Sequence, residues 1–379
     1  MELVKPGTYI DFMRYRKAVI SSSLLLVTAS IVSLFFPGPN YGIDFQGGTE
    51  LQLIFEGDVS AGDVRQALEG AGYLRPDVVS VQDSDNEFII RVQEVSALPE
   101  EQIESIRTTV EERLGSVSLN DMQVSPGGDK IAFRLGGTVE PQLLEEALTE
   151  SGVGVRGVNA FGQAEDFRYE AHLVGVADEI VRQLRETLGE RGPADPRRVE
   201  WVGPKAGAQL RDAAIKSLLY AIAFIMVYVA FRFDLRFAPG GVLAMMHDVI
   251  ITLGIYVLVQ KEVNLTTIAA LLTILGYSIN DTIVVFDRIR ENMGRLRDKT
   301  LNELINISTS QMLSRTIVTS GTTLLSVSAF FIWGTSVIKD ISFALFIGIL
   351  IGTYSSIYIA APATEWMDRK FFGGGGRGS

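Results

Sequence analysis

Three polar positions inside long apolar runs carry the chemistry this sequence offers. Met246-His247-Asp248 sits near the middle of one run, and Ser278-Ile279-Asn280-Asp281-Thr282 in the later half of the next. Arg315 opens a third, beside Ser314, Thr316 and Thr319. An ionisable side chain in a membrane span is a functional candidate by default, because its burial must be compensated by a partner or by water. Asp281 lies about five residues, roughly 8 Å, from the end of its run, and Arg315 enters at that same end. The two are therefore placed to approach each other. Burial favours a neutral acid and a nearby Arg favours a carboxylate. A site where these effects nearly cancel loads and releases a proton as helices rock. One charge crossing the membrane potential contributes ~2.3 kcal/mol per 100 mV, enough to bias a conformational equilibrium tens of fold. The competing reading is a fixed ion pair that only holds helices together. Asp287, Arg288 and Arg290 read as topology charges at the membrane edge. Gly276 and the Gly348-x-x-x-Gly352 pair fit close helix packing.

The elements that must position these groups are six runs long enough to span a bilayer, which needs about 20 mostly apolar residues. They are Ala18–Phe36, Ala213–Phe231, Phe237–Val259, Leu265–Phe286, Thr316–Trp333 and Ile341–Ala361. Lys216 near one end of the second can snorkel. The first follows Lys5, Arg14, Arg16 and Lys17 but ends in Phe-Phe-Pro without a small-x-small cleavage pattern, so it reads as an uncleaved helix rather than a signal peptide.

The charge is divided. The 379 residues hold 34 Lys/Arg and 45 Asp/Glu, a net of −11, with two His and no Cys. Disulfides, thiolate chemistry and Cys-based or His-rich metal sites are thereby disfavoured, and no cofactor is expected. Segment 37–212 holds 16 Lys/Arg and 32 Asp/Glu, a net of −16, and the remainder is +5. Mean hydropathy is nevertheless +0.23, so charged and apolar residues are segregated. A net acidic chain argues against nucleic acid as a partner. Basic residues collect in the tail 1–17, at Arg232 and Arg236, from Arg288 to Arg315, and in the tail 362–379; the alternate loops carry only Lys261 and Lys339. The positive-inside rule then puts both termini in the cytoplasm and 37–212 outside. The Gly-rich end, 373–379, reads as a flexible tail.

Segment 37–212 looks duplicated. Strands and helices alternate as βαββαβ over 50–125 and again over 129–203, by period-2 and i, i+3, i+4 patterning. Val64-Arg-Gln-Ala-Leu-Glu-Gly-Ala-Gly72 aligns with Leu144-Glu-Glu-Ala-Leu-Thr-Glu-Ser-Gly152. The expected fold is therefore a membrane bundle of six transmembrane helices with an α+β extracytoplasmic domain, ferredoxin-like and duplicated. The glutamates of 100–112 read as a solvated helix face and His172 as structural.

Several motifs resemble the SecD/SecF export family. Tyr41-Gly-Ile-Asp-Phe-Gln-Gly-Gly-Thr49 is similar to the start of that family's exported domain, and Val202-Gly-Pro-Lys-Ala-Gly207 to its Val-Gly-Pro element. Gly276-Tyr-Ser-Ile-Asn-Asp-Thr-Ile-Val-Val-Phe-Asp-Arg-Ile-Arg-Glu291 is similar to the signature of the SecF branch, and Leu313-Ser-Arg-Thr316 and Gly352-Thr-Tyr-Ser-Ser356 fit as well. The resemblance implies a multi-pass subunit of the bacterial inner membrane, related to the proton-driven resistance–nodulation–division transporters. It would pair with SecD, work with the SecYEG channel and with YajC as a further partner, and draw an unfolded exported polypeptide outward on the proton motive force. It also implies proton-coupling roles for Asp281 and Arg315, for Asn280 beside Asp281, and for Asp248 in the His-Asp pair of the third run, and a translocation subunit rather than an enzyme. The branch usually has one βαββαβ unit where two are read here. The alternatives are half of a proton-driven small-molecule or lipid exporter of the same superfamily, and a membrane scaffold.

Overall fold

The structure is a computed structural model and describes residues 5, 7–74, 76–81, 84, 86–94, 98, 100–125, 128–233 and 235–371. The Gly-rich end at 373–379 lies outside them. In chain order, α1 (Arg16–Phe35) leads through β1 (Asn40–Tyr41) and the single turn α2 (Ile43–Gln46) into β2 (Gly48–Ile54), α3 (Ala61–Gly70), β3 (Asp77–Ser80) and β4 (Glu87–Val92). Next come α4 (Glu100–Leu114), β5 (Leu119–Val124), β6 (Lys130–Leu135), α5 (Pro141–Glu150), β7 (Val155–Ala160), β8 (Arg168–Leu173), α6 (Val176–Leu188) and β9 (Arg198–Val202). The remainder is α7 (Pro204–Arg232), α8 (Ala238–Leu258), β10 (Glu262–Val263), α9 (Leu265–Arg295), α10 (Leu301–Trp333), α11 (Ser336–Ser355) and α12 (Ala361–Phe371). Two compact units result, one of 1–42 with 212–379 and one of 43–211.

The first unit contains six helical segments long and apolar enough to cross a membrane, the last of them running from α11 through α12. α8 and α9 form its centre, while α1 and α7 are largely exposed. The starts of three helices have local reasons, and one of them lies well before its apolar run. Thr300 caps α10 in a reciprocal box with Glu303, so that helix begins at Leu301 and Arg315 stands well inside it rather than at its start. Asn264 caps α9 through the Thr267 amide. Pro239 occupies the first turn of α8, where its missing N–H is harmless. α11 packs on α9 through Gly348, where a Cβ would meet Ile274 side-chain atoms at 2.3–2.8 Å. Between α11 and α12, Ser356–Ala360 form one π turn, a feature that often marks functional sites.

The second unit holds two four-stranded antiparallel sheets, ordered β3-β4-β2-β9 and β5-β6-β8-β7. Each has one apolar face, as period-2 alternation requires. Leu51, Leu53, Phe88, Ile90 and Val92 of the first sheet pack against Val64 and Leu68 of α3 and Ile180 and Leu184 of α6. Ile131, Phe133, Tyr169 and Ala171 of the second pack against Ile106 and Val110 of α4 and Leu144 and Leu148 of α5.

The membership of these sheets departs from the expected division at 50–125 and 129–203. β5 joins the second sheet and β9 the first, and α4 and α6 follow them. The first sheet therefore uses β2, α3, β3 and β4 from one end of the segment and α6 with β9 from the other; everything from α4 to β8 is inserted between. The reason is local: β5 and β6 are joined by a short turn that favours antiparallel pairing of neighbours. As a result, the two family-like motifs at opposite ends of the segment meet, with Gly48 paired to Val202. The glycines are needed there. Gly47 and Gly48 have φ of +80° and +133°, and a Cβ on Gly48 would lie 2.4 Å from the Val92 carbonyl oxygen.

Candidate functional site in the helix bundle

Asp248, near the middle of α8, is fully buried. Its Oδ2 accepts hydrogen bonds from Ser278 Oγ of α9 at 2.6 Å and Ser355 Oγ at the end of α11 at 2.8 Å. Its Oδ1 lies 2.8 Å from His247 Nδ1. The other ring nitrogen of His247 lies 3.0 Å from Tyr354 OH, which also accepts from Ser23 Oγ of α1 at 3.3 Å. One connected polar network therefore ties together four helices. A network in low dielectric stabilises a unique packing only when its members are satisfied, and this carboxylate has a donor on each oxygen.

Asp281 lies on α9, 4% exposed. Ser278 stands three residues earlier on the same helix and is also buried. Asp281 Oδ2 accepts one hydrogen bond, from Ser320 Oγ of α10 at 3.2 Å. Ser320 in turn lies 3.1 Å from Thr353 Oγ1 of α11. Arg315, on the same α10 as Ser320, is exposed and forms no ion pair among the described residues. The reason is helix phase. Thr316 and Ser320 mark the buried face of α10, and Arg315 stands at its edge.

Of the four expected residues, Asp281 and Asp248 are brought into one buried polar region linked through α9. Arg315 is exposed and bonds to neither of them. Asn280 is exposed and faces away from Asp281. Sequence reasoning passed over Ser320, Thr353, Tyr354, Ser355 and Ser23. Hydroxyl residues are frequent in these helices, as in the run Ser21-Ser22-Ser23, so type alone gave no way to choose them. Tyr354 and Ser355 did fall within the Gly352–Ser356 motif. No cluster of three or more metal-binding side chains occurs among the described residues.

Two family models match this chain: the protein export membrane protein SecD/SecF C-terminal region over residues 184–370, and the SecD/SecF GG motif over 32–59. A protein translocase subunit SecF from Magnetococcus marinus is 37% identical over 368 residues, covering 97% of this chain and 95% of the relative. The chain belongs to the SecD/SecF family. A protein translocase subunit SecF from Pseudomonas aeruginosa is 35% identical, with 96% and 93% covered. Among solved structures, SecDF of Thermus thermophilus, described as a translocon-associated membrane protein, superposes with a TM-score of 0.65 at 32% identity. That match covers 98% of this chain and 40% of the SecDF chain, so this chain spans about two fifths of the length of that structural relative. The GG-motif model includes Gly47 and Gly48, and the C-terminal model contains Asp248, Asp281 and Arg315.

Proposed function

We propose that the chain is the SecF-type subunit of a Sec translocase accessory complex in the bacterial inner membrane, paired with SecD. Together the two use the proton motive force to promote translocation of unfolded polypeptide through SecYEG, with YajC as a further partner. Both termini face the cytoplasm and segment 37–212 faces outward, in keeping with the basic loops on one side. The chain performs no covalent reaction.

What supports the coupling mechanism is a buried carboxylate, Asp281, whose side-chain donor is the neutral hydroxyl of Ser320, on the helix that also carries the exposed Arg315, which forms no ion pair among the described residues. Protonation removes the charge on Asp281 and releases Arg315. Deprotonation draws Arg315 inward, because an ionised carboxylate away from water needs a cation or several donors. Each proton thus moves α10 relative to α9. Asp248, already met by three donors, fixes the α8–α9–α11 contact against which that motion works. Asn280 takes part where SecD covers the exposed face of α9. In the outward unit, the two sheets are read as two ferredoxin-like units, one nested inside the other. The host unit carries both family motifs and corresponds to the usual SecF domain.

Export into inverted membrane vesicles, measured with and without a proton gradient, tests the coupling. Asp281→Asn and Arg315→Leu are expected to assemble with SecD and lose the gradient-dependent component. Wild-type export by both assembled variants would sink the proposal.

A further inference from the structure

Where α7 gives way to α8, a cavity of about 390 Å³ opens against the last turns of α9. That volume accommodates on the order of ten waters. Phe233, Phe237, Arg236, Arg290 and Arg297 are among the residues that line it. Its aromatic part is firmly built: Phe237 is buried, with its ring 5.0 Å from that of Phe286. The Arg290 guanidinium lies 5.2 Å over the Phe233 ring.

Two of the arginines are oriented by carboxylates. Asp287 Oδ1 lies 2.8 Å from Arg290 Nη2, and Asp368 Oδ1 lies 3.0 Å from Arg236 Nη1. Arg297 forms no ion pair among the described residues. Segments 232–236 and 287–299 together carry seven Lys/Arg against four Asp/Glu, so the surroundings remain cationic. Beside the cavity, Phe231 is 88% exposed and Leu235 65%, and the exposed Tyr228 and Phe224 continue that apolar strip along α7.

We infer that this cavity binds the phosphate headgroup of an anionic phospholipid. Guanidinium groups match phosphate with paired N–H donors, and basic pockets between membrane helices hold lipid headgroups. The strip from Leu235 to Phe224 offers an acyl chain a path into the hydrocarbon layer. Free phosphate would meet the same arginines but make no use of that strip. The inference rests on α7 and α9 crossing a bilayer and is independent of proton coupling.

Lipid retention by the full chain in detergent, measured by native mass spectrometry, tests it. Phosphatidylglycerol and phosphatidylcholine are titrated in parallel, with inorganic phosphate as competitor. One tightly held phosphatidylglycerol is expected. Arg297→Gln breaks no ion pair and is expected to weaken it about fivefold, and Arg290→Gln combined with Arg297→Gln roughly 30-fold. Phe231→Ser weakens phosphatidylglycerol and leaves phosphate unaffected, while Arg107→Gln on α4 changes nothing. Equal retention of the two lipids, or undiminished phosphatidylglycerol on a monodisperse Arg297→Gln chain, overturns the proposal. So does displacement by inorganic phosphate with Phe231→Ser silent, which would identify a free-phosphate site.

Discussion

Asp248 and Asp281 lie on neighbouring helices of one bundle, yet their surroundings differ in kind. Asp248 meets two hydroxyls and an imidazole from three helices and has no exposure. Asp281 meets one hydroxyl, and Arg315 of the facing α10 forms no ion pair with it. A carboxylate with every oxygen engaged fixes the helices that supply its donors. A carboxylate with one donor leaves its neighbours free to exchange partners. On the coupling proposed above, this difference separates the part of the bundle that holds still from the part that moves, although both sites began as the same residue type in an apolar run.

The comparison breaks most directly at the donors. Asp248→Ala leaves the Ser278 hydroxyl and the His247 ring nitrogen without their partner, at about 1–3 kcal/mol each, while Ser355 Oγ keeps the Gly352 carbonyl at 3.2 Å. The amount of folded chain extracted from membranes should fall severely. Asp281→Ala releases one hydroxyl and should leave that yield within about twofold. Equal yields would show that the two sites are not energetically distinct.

The functional contrast runs the other way. Asp281→Asn should lower gradient-driven export on the order of tenfold. Asp248→Asn, where it assembles, should keep most of the gradient response. If the two asparagine variants lose coupling equally, Asp248 belongs to the moving part. A finer distinction comes from hydroxyl deletions. Ser320→Ala should slow gradient-driven export severalfold with little change in melting, whereas Tyr354→Phe should lower stability by about 1 kcal/mol and leave coupling intact. Vesicle export and thermal melting of the purified chain read the two effects separately.

A surface carboxylate sets the scale for both. Asp63 accepts from the Ser60 backbone N–H and hydroxyl at the start of α3, and these bonds hold its carboxyl below the usual range. Its stabilisation is therefore present above the ordinary Asp range near 3.9 and is lost as pH falls through its lower folded value. Ser60→Ala should cost about 1 kcal/mol at neutral pH. Acid titration of the variant's melting point should then show a smaller drop than wild type.

Much of this was legible from residue order. Six apolar runs gave six helices because hydrocarbon thickness sets a length that composition reveals. Asp248 and Asp281 stood out because charge in such runs is rare. What residue order concealed was partnership. Helical phase alone puts Arg315 at the edge of α10 and Asn280 on the outer side of α9, but the facing helices had to be known before edge or outside had meaning. The start of α10 was obscured because a capping box at Thr300 extends a helix through polar residues that hydropathy does not credit. The patterning of 50–203 disclosed strands and helices correctly in kind, since periodicity reports the local backbone. Which strand closes which sheet is decided by turn geometry and core packing, which periodicity does not report.

The nesting has a consequence for how such a domain can change over generations. Because α4 to β8 begins and ends within the span between β4 and α6, its loss would leave β2, α3, β3, β4, α6 and β9 with their own core of Leu51, Ile90 and Ile180 intact. The inserted sheet has a core of its own, and the Gly48–Val202 seam where the two family motifs meet lies wholly in the host sheet, so a change of length in the insert need not pass through that seam.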